Sequence, residues 1–153
     1  MARSTFVYVT YIRTTPEKLW TALTDPAFMK KYWFGMHCES TFTAGSPWRL
    51  VSEEGKVFDS GEIVEAEPPK RLVVRWRHQL RPELNAEGDS LCTMELEPGG
   101  GAVKLSITHA IEADPSQFIA AVSGGWPKIM SNLKSLLETG AIALDEAYPP
   151  AKS

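Results

Sequence analysis

Residues 123–140 read SGGWPKIMSNLKSLLETG, and whether they form one helix decides the fold. From Trp126 onward the apolar residues fall at helical spacing, with Trp126, Ile129, Leu133, Leu136 and Leu137 on one face. Upstream, Phe118 and Val122 extend the same stripe. The front of the segment contradicts the pattern, because Gly124, Gly125 and Pro127 surround Trp126 where a helix should be continuous. A proline inside a helix removes the bond to the carbonyl four residues back, here that of Ser123, and its ring crowds that carbonyl. The spacing therefore predicts a long C-terminal helix with a built-in bend: a kink here, or one piece ending near Ser123 and another starting at Pro127. Residues 113–118, ADPSQF, open it with Asp114 as cap, Pro115 at the first position and Gln117 at the capping-box position. Gly140 is placed for a left-handed C-cap.

A helix with so apolar a face needs a partner surface, and the preceding sequence supplies a sheet. In residues 5–13, Phe6, Tyr8, Thr10 and Ile12 oppose Val7, Val9 and Tyr11, the alternation of a strand. Two short helices follow, one capped by Thr15 with Pro16 first, the next capped by Asp25 with Pro26 first and stopped at Gly35. Residues 37–111 then read as six strands: HCESTF, PWRLVS, KVFDSGEIVEAE, KRLVVRWRHQL, SLCTMELE and AVKLSITHAI. The material between them, including PELNAEGD, reads as turns. In residues 70–81, Leu72, Val74, Trp76, His78 and Leu80 form a dry face, and Arg71, Arg75, Arg77 and Arg81 a wet one. Cys92, Met94 and Leu96, then Val103, Leu105, Ile107, His109 and Ile111, continue the dry face on the next two strands. The arginine row reads as a solvated face paired across to Glu95 and Glu97 rather than as an anion site.

The chain has 153 residues, 43% hydrophobic and 23% charged, with a net charge of -3. That suits a single globular domain over residues 1–140 with a tail, 141–153, that reads as a surface arm. The adjacent basic pairs, Lys30-Lys31 and Lys70-Arg71, are too few for nucleic acid. No apolar run approaches the roughly 18 residues of a membrane span, and residues 1–17 do not read as a signal peptide. The expected location is the cytoplasm, with Cys38 and Cys92 as free buried thiols.

The segments YIRTTPEKLWTALTDPAFMKKYWFG (11–35), EAEPPKRLVVRW (65–76) and SGGWPKIMSNLKSLLETG (123–140), in that order and with this strand spacing, carry a family resemblance. Over residues 5–140 the chain resembles the branch of the START/Bet v 1-like helix-grip superfamily named for the activator of heat shock protein 90 ATPase homologue. The resemblance implies an α+β fold in which a curved seven-stranded antiparallel sheet grips the C-terminal helix, often around a cavity. Members bind lipids, sterols, polyketides or other apolar molecules; some are cyclases or hydrolases, and others bind nothing. Bacterial relatives are often encoded beside, or fused to, ArsR-type regulators, which implies stress or regulatory contexts. The resemblance brings no catalytic residue and no cofactor. The eukaryotic namesake carries a separate N-terminal domain for major chaperone contacts, for which these 153 residues have no room.

The candidate site is therefore a cavity between sheet and helix. From the sheet side its lining is expected to include Trp33, Trp48, Trp76, His78, Met94, Ile107 and His109; from the helix, Phe118, Val122, Trp126, Ile129 and Met130. His78 and His109 share the dry face, and each is either satisfied by neighbouring polar groups or a polar contact for a ligand. Tyr32, Trp33 and Phe34 either gate an entrance or staple the second helix to the sheet. Asp59 and Glu65 share parity on one strand but lie roughly 20 Å apart, too far for a carboxylate pair to act on one bond. His37 and Cys38 are adjacent on a strand and point to opposite faces, which argues against a shared zinc ion. No metal site or nucleophile motif is legible, so an enzyme ranks last. Ahead of it stand a binder of a small apolar or amphipathic molecule and a protein-interaction module with a chaperone or regulator as partner. Either would act as monomer or homodimer.

Overall fold

A computed structural model describes residues 3–145. Strand β1, Ser4–Ile12, leads into helices α1, Pro16–Thr24, and α2, Pro26–Tyr32. Then come β2, His37–Glu39, β3, Pro47–Val51, β4, Val57–Glu67, and β5, Arg71–His78. A one-turn helix α3, Pro82–Asn85, precedes β6, Ser90–Gly99, and β7, Ala102–Ile111, and the chain closes on α4, Gln117–Thr139. The strands form one antiparallel sheet in the order β1-β7-β6-β5-β4-β3-β2. This is the α+β helix-grip architecture.

Local grammar sets the first helices. Thr15 Oγ1 accepts from the Lys18 amide at 3.3 Å and Asp25 Oδ1 from the Ala27 amide at 3.0 Å, each ahead of a proline at the first helical position. Alternation sets the sheet: Leu72, Val74, Cys92, Met94, Leu96, Val103, Leu105 and Ile107 are buried beneath α4. On the opposite face Arg71 bonds Glu65 and Glu95, at 3.0 and 2.8 Å, and Arg75 bonds Glu62. The arginine row is thus paired with carboxylates.

The structure departs from the sequence reading at several places. Strand β2 stops at Glu39, three residues short, because the Phe42 amide turns back to Ser40 Oγ at 3.0 Å and Phe42 takes a φ of 54°. The stretch PELNAEGD contains α3 rather than only a turn. Helix α4 is capped by Ser116, not Asp114, and Gln117 is its first residue, not a capping-box partner. Ser116 Oγ accepts from the Ile119 amide at 3.0 Å and donates to Glu87 at 2.5 Å, while Glu87 also accepts from the amides of Gln117, at 2.8 Å, and Phe118, at 3.4 Å. A carboxylate from the loop before β6 therefore sits on the positive end of the helix, where the macrodipole favours it. Finally, α4 does not break and restart: it continues through Pro127 as one helix. The carbonyl freed by the proline belongs to half-buried Ser123, outside the apolar core.

Residues 141–145 are pinned rather than loose. Asn132, fully buried on α4, accepts from the amides of Ala143, at 3.0 Å, and Leu144, at 2.7 Å, and donates to the carbonyls of Leu144, at 2.9 Å, and Tyr32, at 3.4 Å. The rest of the expected arm, 146–153, lies outside the described residues. Asn132→Ala should cost about 2 kcal/mol in urea denaturation, since it leaves buried backbone groups without partners. Hydrogen exchange at the Ala143 and Leu144 amides should speed up in the same variant, and unchanged exchange would show that Asn132 does not hold the segment.

Candidate functional site

Beside β1 and β7 the helix lies close on the sheet, and the grip is loosest over β3, β4 and β5. There the structure holds a cavity of about 680 Å³. Its floor is built from Leu50, Phe58, Asp59, Trp76 and His78, and its roof from the α4 stretch between Phe118 and Ile129. Trp33, Phe34 and Met36, after α2, close one end, and Arg81 and Leu84 the other.

The roof explains the glycine pair. A Cβ built on Gly124 or Gly125 meets nothing within 4 Å, so no strand approaches them. Both line the cavity, and glycine inside a helix costs about 0.5 to 1 kcal/mol relative to alanine. What this composition leaves at the roof is space. Gly61 has the opposite role. It lies between Trp48 and Trp76 in the strand register, and a Cβ there would stand 1.7 Å from the Arg75 carbonyl oxygen. Without a side chain at 61, the two indoles meet across β4 with ring centroids 4.5 Å apart.

Seven of the twelve expected lining residues reach the cavity: Trp33, Trp76 and His78, and from the helix Phe118, Val122, Trp126 and Ile129. Five do not line it: Trp48, Met94, Ile107, His109 and Met130, all buried in the packed core. Tyr32 is a staple, fully buried with its hydroxyl on the Ala22 carbonyl at 2.8 Å, whereas Trp33 packs on Trp126 and Trp76, at 5.5 and 6.3 Å between centroids.

His109 is completely enclosed, and both ring nitrogens are engaged. The Trp126 indole N–H can only donate, so Nδ1 of His109, 3.1 Å away, must accept. Nε2 therefore carries the proton and donates to Ser90 Oγ at 2.8 Å, and Ser90 donates to the Trp76 carbonyl at 2.8 Å. Burial pushes the His109 pKa down to about 3, so the ring is neutral.

Asp59, weighed from the sequence only as half of a carboxylate pair, lines the cavity. It is 6% exposed, paired across the sheet with His78, and its Oδ2 takes two donors. These are the Trp76 indole N–H at 2.6 Å and His78 Nδ1 at 3.1 Å. Burial raises the Asp59 pKa, while the bonds from Trp76 and His78 oppose the rise. The expected shared parity with Glu65 fails because a bulge between Ile63 and Glu65 turns Glu65 to the outer face, onto Arg71. Cys38 and Cys92 are free and buried, and burial raises the Cys38 thiol to about 12. Among the described residues no cluster of His, Cys, Asp or Glu could hold a metal ion, and no helix is long and apolar enough to cross a membrane.

A seven-stranded sheet clasping one long helix, with a cavity under the helix's first half, defines the helix-grip class. Residues 13–138 match the family described as Activator of Hsp90 ATPase homolog 1-like protein, and the chain belongs to that family. Solved structures similar to it include protein MLL2253 from Mesorhizobium loti, at 25% identity and a TM-score of 0.76 over 88% of this chain and 97% of that one. Another is the Aha1 dimer from Colwellia psychrerythraea, at 20% identity and a TM-score of 0.73, covering 90% of this chain and 98% of the other. A third is PFC0360w, an HSP90 activator from Plasmodium falciparum, at 21% and 0.71, covering 87% and 95%. No curated protein matches the sequence.

The enclosed His109 makes stability depend on pH. Its folded pKa, about 3, lies below the ordinary value of 6.5, so between these values the unfolded chain binds a proton that the folded one lacks. The stability it contributes is complete above the unfolded value and is lost as pH falls toward the folded one, by up to about 1.4 kcal/mol per pH unit. Asp59, with its pKa raised, acts in the opposite sense below its folded value, so the comparison is made by difference. Urea denaturation of the protein and of His109→Gln should show the wild-type acid slope reduced by up to one proton in the variant. Equal slopes would mean that His109 titrates as in the unfolded chain.

Proposed function

We propose that the protein binds a small apolar or amphipathic molecule between the first half of α4 and strands β3, β4 and β5. The observation that carries this reading is the cavity of about 680 Å³ with a largely apolar and aromatic lining, within the roughly 300 to 1,000 Å³ of small-molecule sites. Burial drives such binding at about 25 cal/mol per Å² of apolar surface removed from water. The glycine pair supports the reading, because a helix under selection for stability alone gains from alanine at both positions. Family membership is compatible with a ligand site and with a co-chaperone-like role.

A second reading, a protein-interaction module with a chaperone or regulatory partner or a second copy of itself, has its own observation. On edge strand β1, Val7, Val9 and Tyr11 are 58%, 45% and 60% exposed on the outer face. It needs no ligand, and one titration separates the two. N-phenyl-1-naphthylamine, an apolar fluorophore, should bind saturably at one site. Gly125→Phe, whose ring would occupy the open space at the roof, should abolish that binding while thermal stability holds or rises. Absence of saturable binding to the unaltered protein would remove the ligand reading and leave the interaction module.

A further inference from the structure

The open sheet has two edges, and the fold treats them differently. Edge strand β2 is three residues long, and its Cys38 amide donates to Met29 Sδ of α2 at 3.2 Å. Edge strand β1 runs for nine residues, STFVYVTYI, with no charge, no proline and no break in its register with β7. Shortness, charges, prolines and bulges are the usual devices that keep a sheet edge from pairing, and β1 carries none of them. Its C-terminal end is occupied by α4. Lys134 and Glu138, bonded to each other at 2.7 Å, reach the strand: Lys134 donates to the Tyr11 carbonyl at 2.6 Å, and Glu138 accepts from the Arg13 amide at 2.8 Å. Backbone groups two residues apart point the same way, so the odd-numbered residues of β1 face the open edge. The hydrogen-bond phase of the sheet agrees. The Leu96 amide donates toward β5, to the Lys70 carbonyl at 2.9 Å, so odd-numbered residues of β6 face β7, those of β7 face β1, and those of β1 face outward. Among the described residues, no strand flanks the N–H and C=O groups that Thr5, Val7 and Val9 present there.

From this we propose that the protein forms a homodimer by antiparallel pairing of β1 with β1 of a second copy, centred on Val7. The inference rests on the interaction reading above and names its partner; it is independent of the cavity. The register follows from what is free. With the Tyr11 and Arg13 groups taken by α4, the open stretch runs from Thr5 to Val9. Two such stretches pair in full only when Val7 faces Val7 and Thr5 faces Val9 of the other copy. Each pair then exchanges two backbone bonds, and the two-fold axis through Val7 makes the contact self-complementary and closed. The side chains agree with the backbone. Val7 and Val9 are 58% and 45% exposed on the outer face, and the pairing sets them beside Val7 and Thr5 of the second copy, joining two narrow apolar strips into one. Charge agrees as well: the same register sets Arg3 opposite Tyr11 of the second copy, a cation against an aromatic ring, while β1 itself brings no charge to meet its like. An unrelated extended peptide gains the same backbone bonds without this match, which favours the second copy.

The test is sedimentation velocity of the full chain over a concentration series, with variants that read the register. The unaltered protein is expected to pass from monomer to dimer between about 1 μM and 1 mM, the weak range of a small interface. Val7→Lys sets two ammonium groups face to face and should weaken the dimer about tenfold or more. Its urea midpoint, measured on the monomer, should stay in place, because Val7 is exposed. Val7→Cys should cross-link two copies under oxidised glutathione, since the Cα atoms of a hydrogen-bonded pair lie about 5.5 Å apart, within disulfide reach. Val9→Cys alone should not cross-link, but mixed with Thr5→Cys it should; Cys38 and Cys92 are buried and stay out of the reaction. A monomer at every concentration would overturn the inference and leave the interaction reading to a different partner. A dimer that survives Val7→Lys, or that cross-links through Val9→Cys alone, would also overturn it, by placing the contact elsewhere.

Discussion

A single chain of buried hydrogen bonds ties the long helix to the middle of the sheet. It runs from the Trp126 indole to His109, from His109 to Ser90 and from Ser90 to the Trp76 carbonyl. The Trp76 indole continues it to Asp59, which also holds His78. Every donor along it has one acceptor, and the donor-only indoles at Trp126 and Trp76 set the direction of the rest. It crosses α4, β7, β6, β5 and β4 in turn, so it fixes both the height of the roof and the position of the floor. Apolar packing alone would let tryptophans slide past one another; a chain in which each lost bond strands a buried group at about 1 to 3 kcal/mol permits one arrangement.

That arrangement divides the interior. On one side lies a packed aromatic core, where Trp48, Trp76, Trp126, His109 and Phe118 meet ring against ring. On the other, the same Trp76 and Trp126 turn a surface toward the cavity. Large rings thus fill one half of the grip and wall off the other. The glycines follow this division: Gly61 lets indoles close up on the packed side, and Gly124 and Gly125 keep the roof bare on the hollow side. His78, which lines the hollow side, has its Nε2 buried without a partner among the described residues, while the packed side satisfies both nitrogens of His109. Two histidines on the same face of one sheet therefore have different surroundings.

Much of this was legible in the sequence because it is local. Alternation along β5, β6 and β7 marked the dry face, and proline after Thr15 and Asp25 marked two helix starts. What was not legible depends on distant partners. Glu87 caps a helix that begins 30 residues later, and nothing near Gln117 signals it. The bulge after Ile63 breaks the parity that linked Asp59 to Glu65, though counting back by twos from Ile63 through Gly61 would have placed Asp59 inside. Pro127 follows the rule for a helix breaker, yet packing of Trp126, Met130 and Leu133 holds the helix through it. The close approach of α4 to β1 and β7, with Met94, Ile107 and His109 in the core and not in the cavity, is a property of the assembled layers. No residue spacing encodes it directly.

The chain of bonds requires His109 and His78 to hold their protons on opposite nitrogens, and one spectrum reads both. In mildly alkaline solution, a long-range 1H–15N correlation of the histidine side chains should show His109 protonated at Nε2 and His78 at Nδ1. The same tautomer at both positions, or interconverting tautomers at His109, would contradict the account.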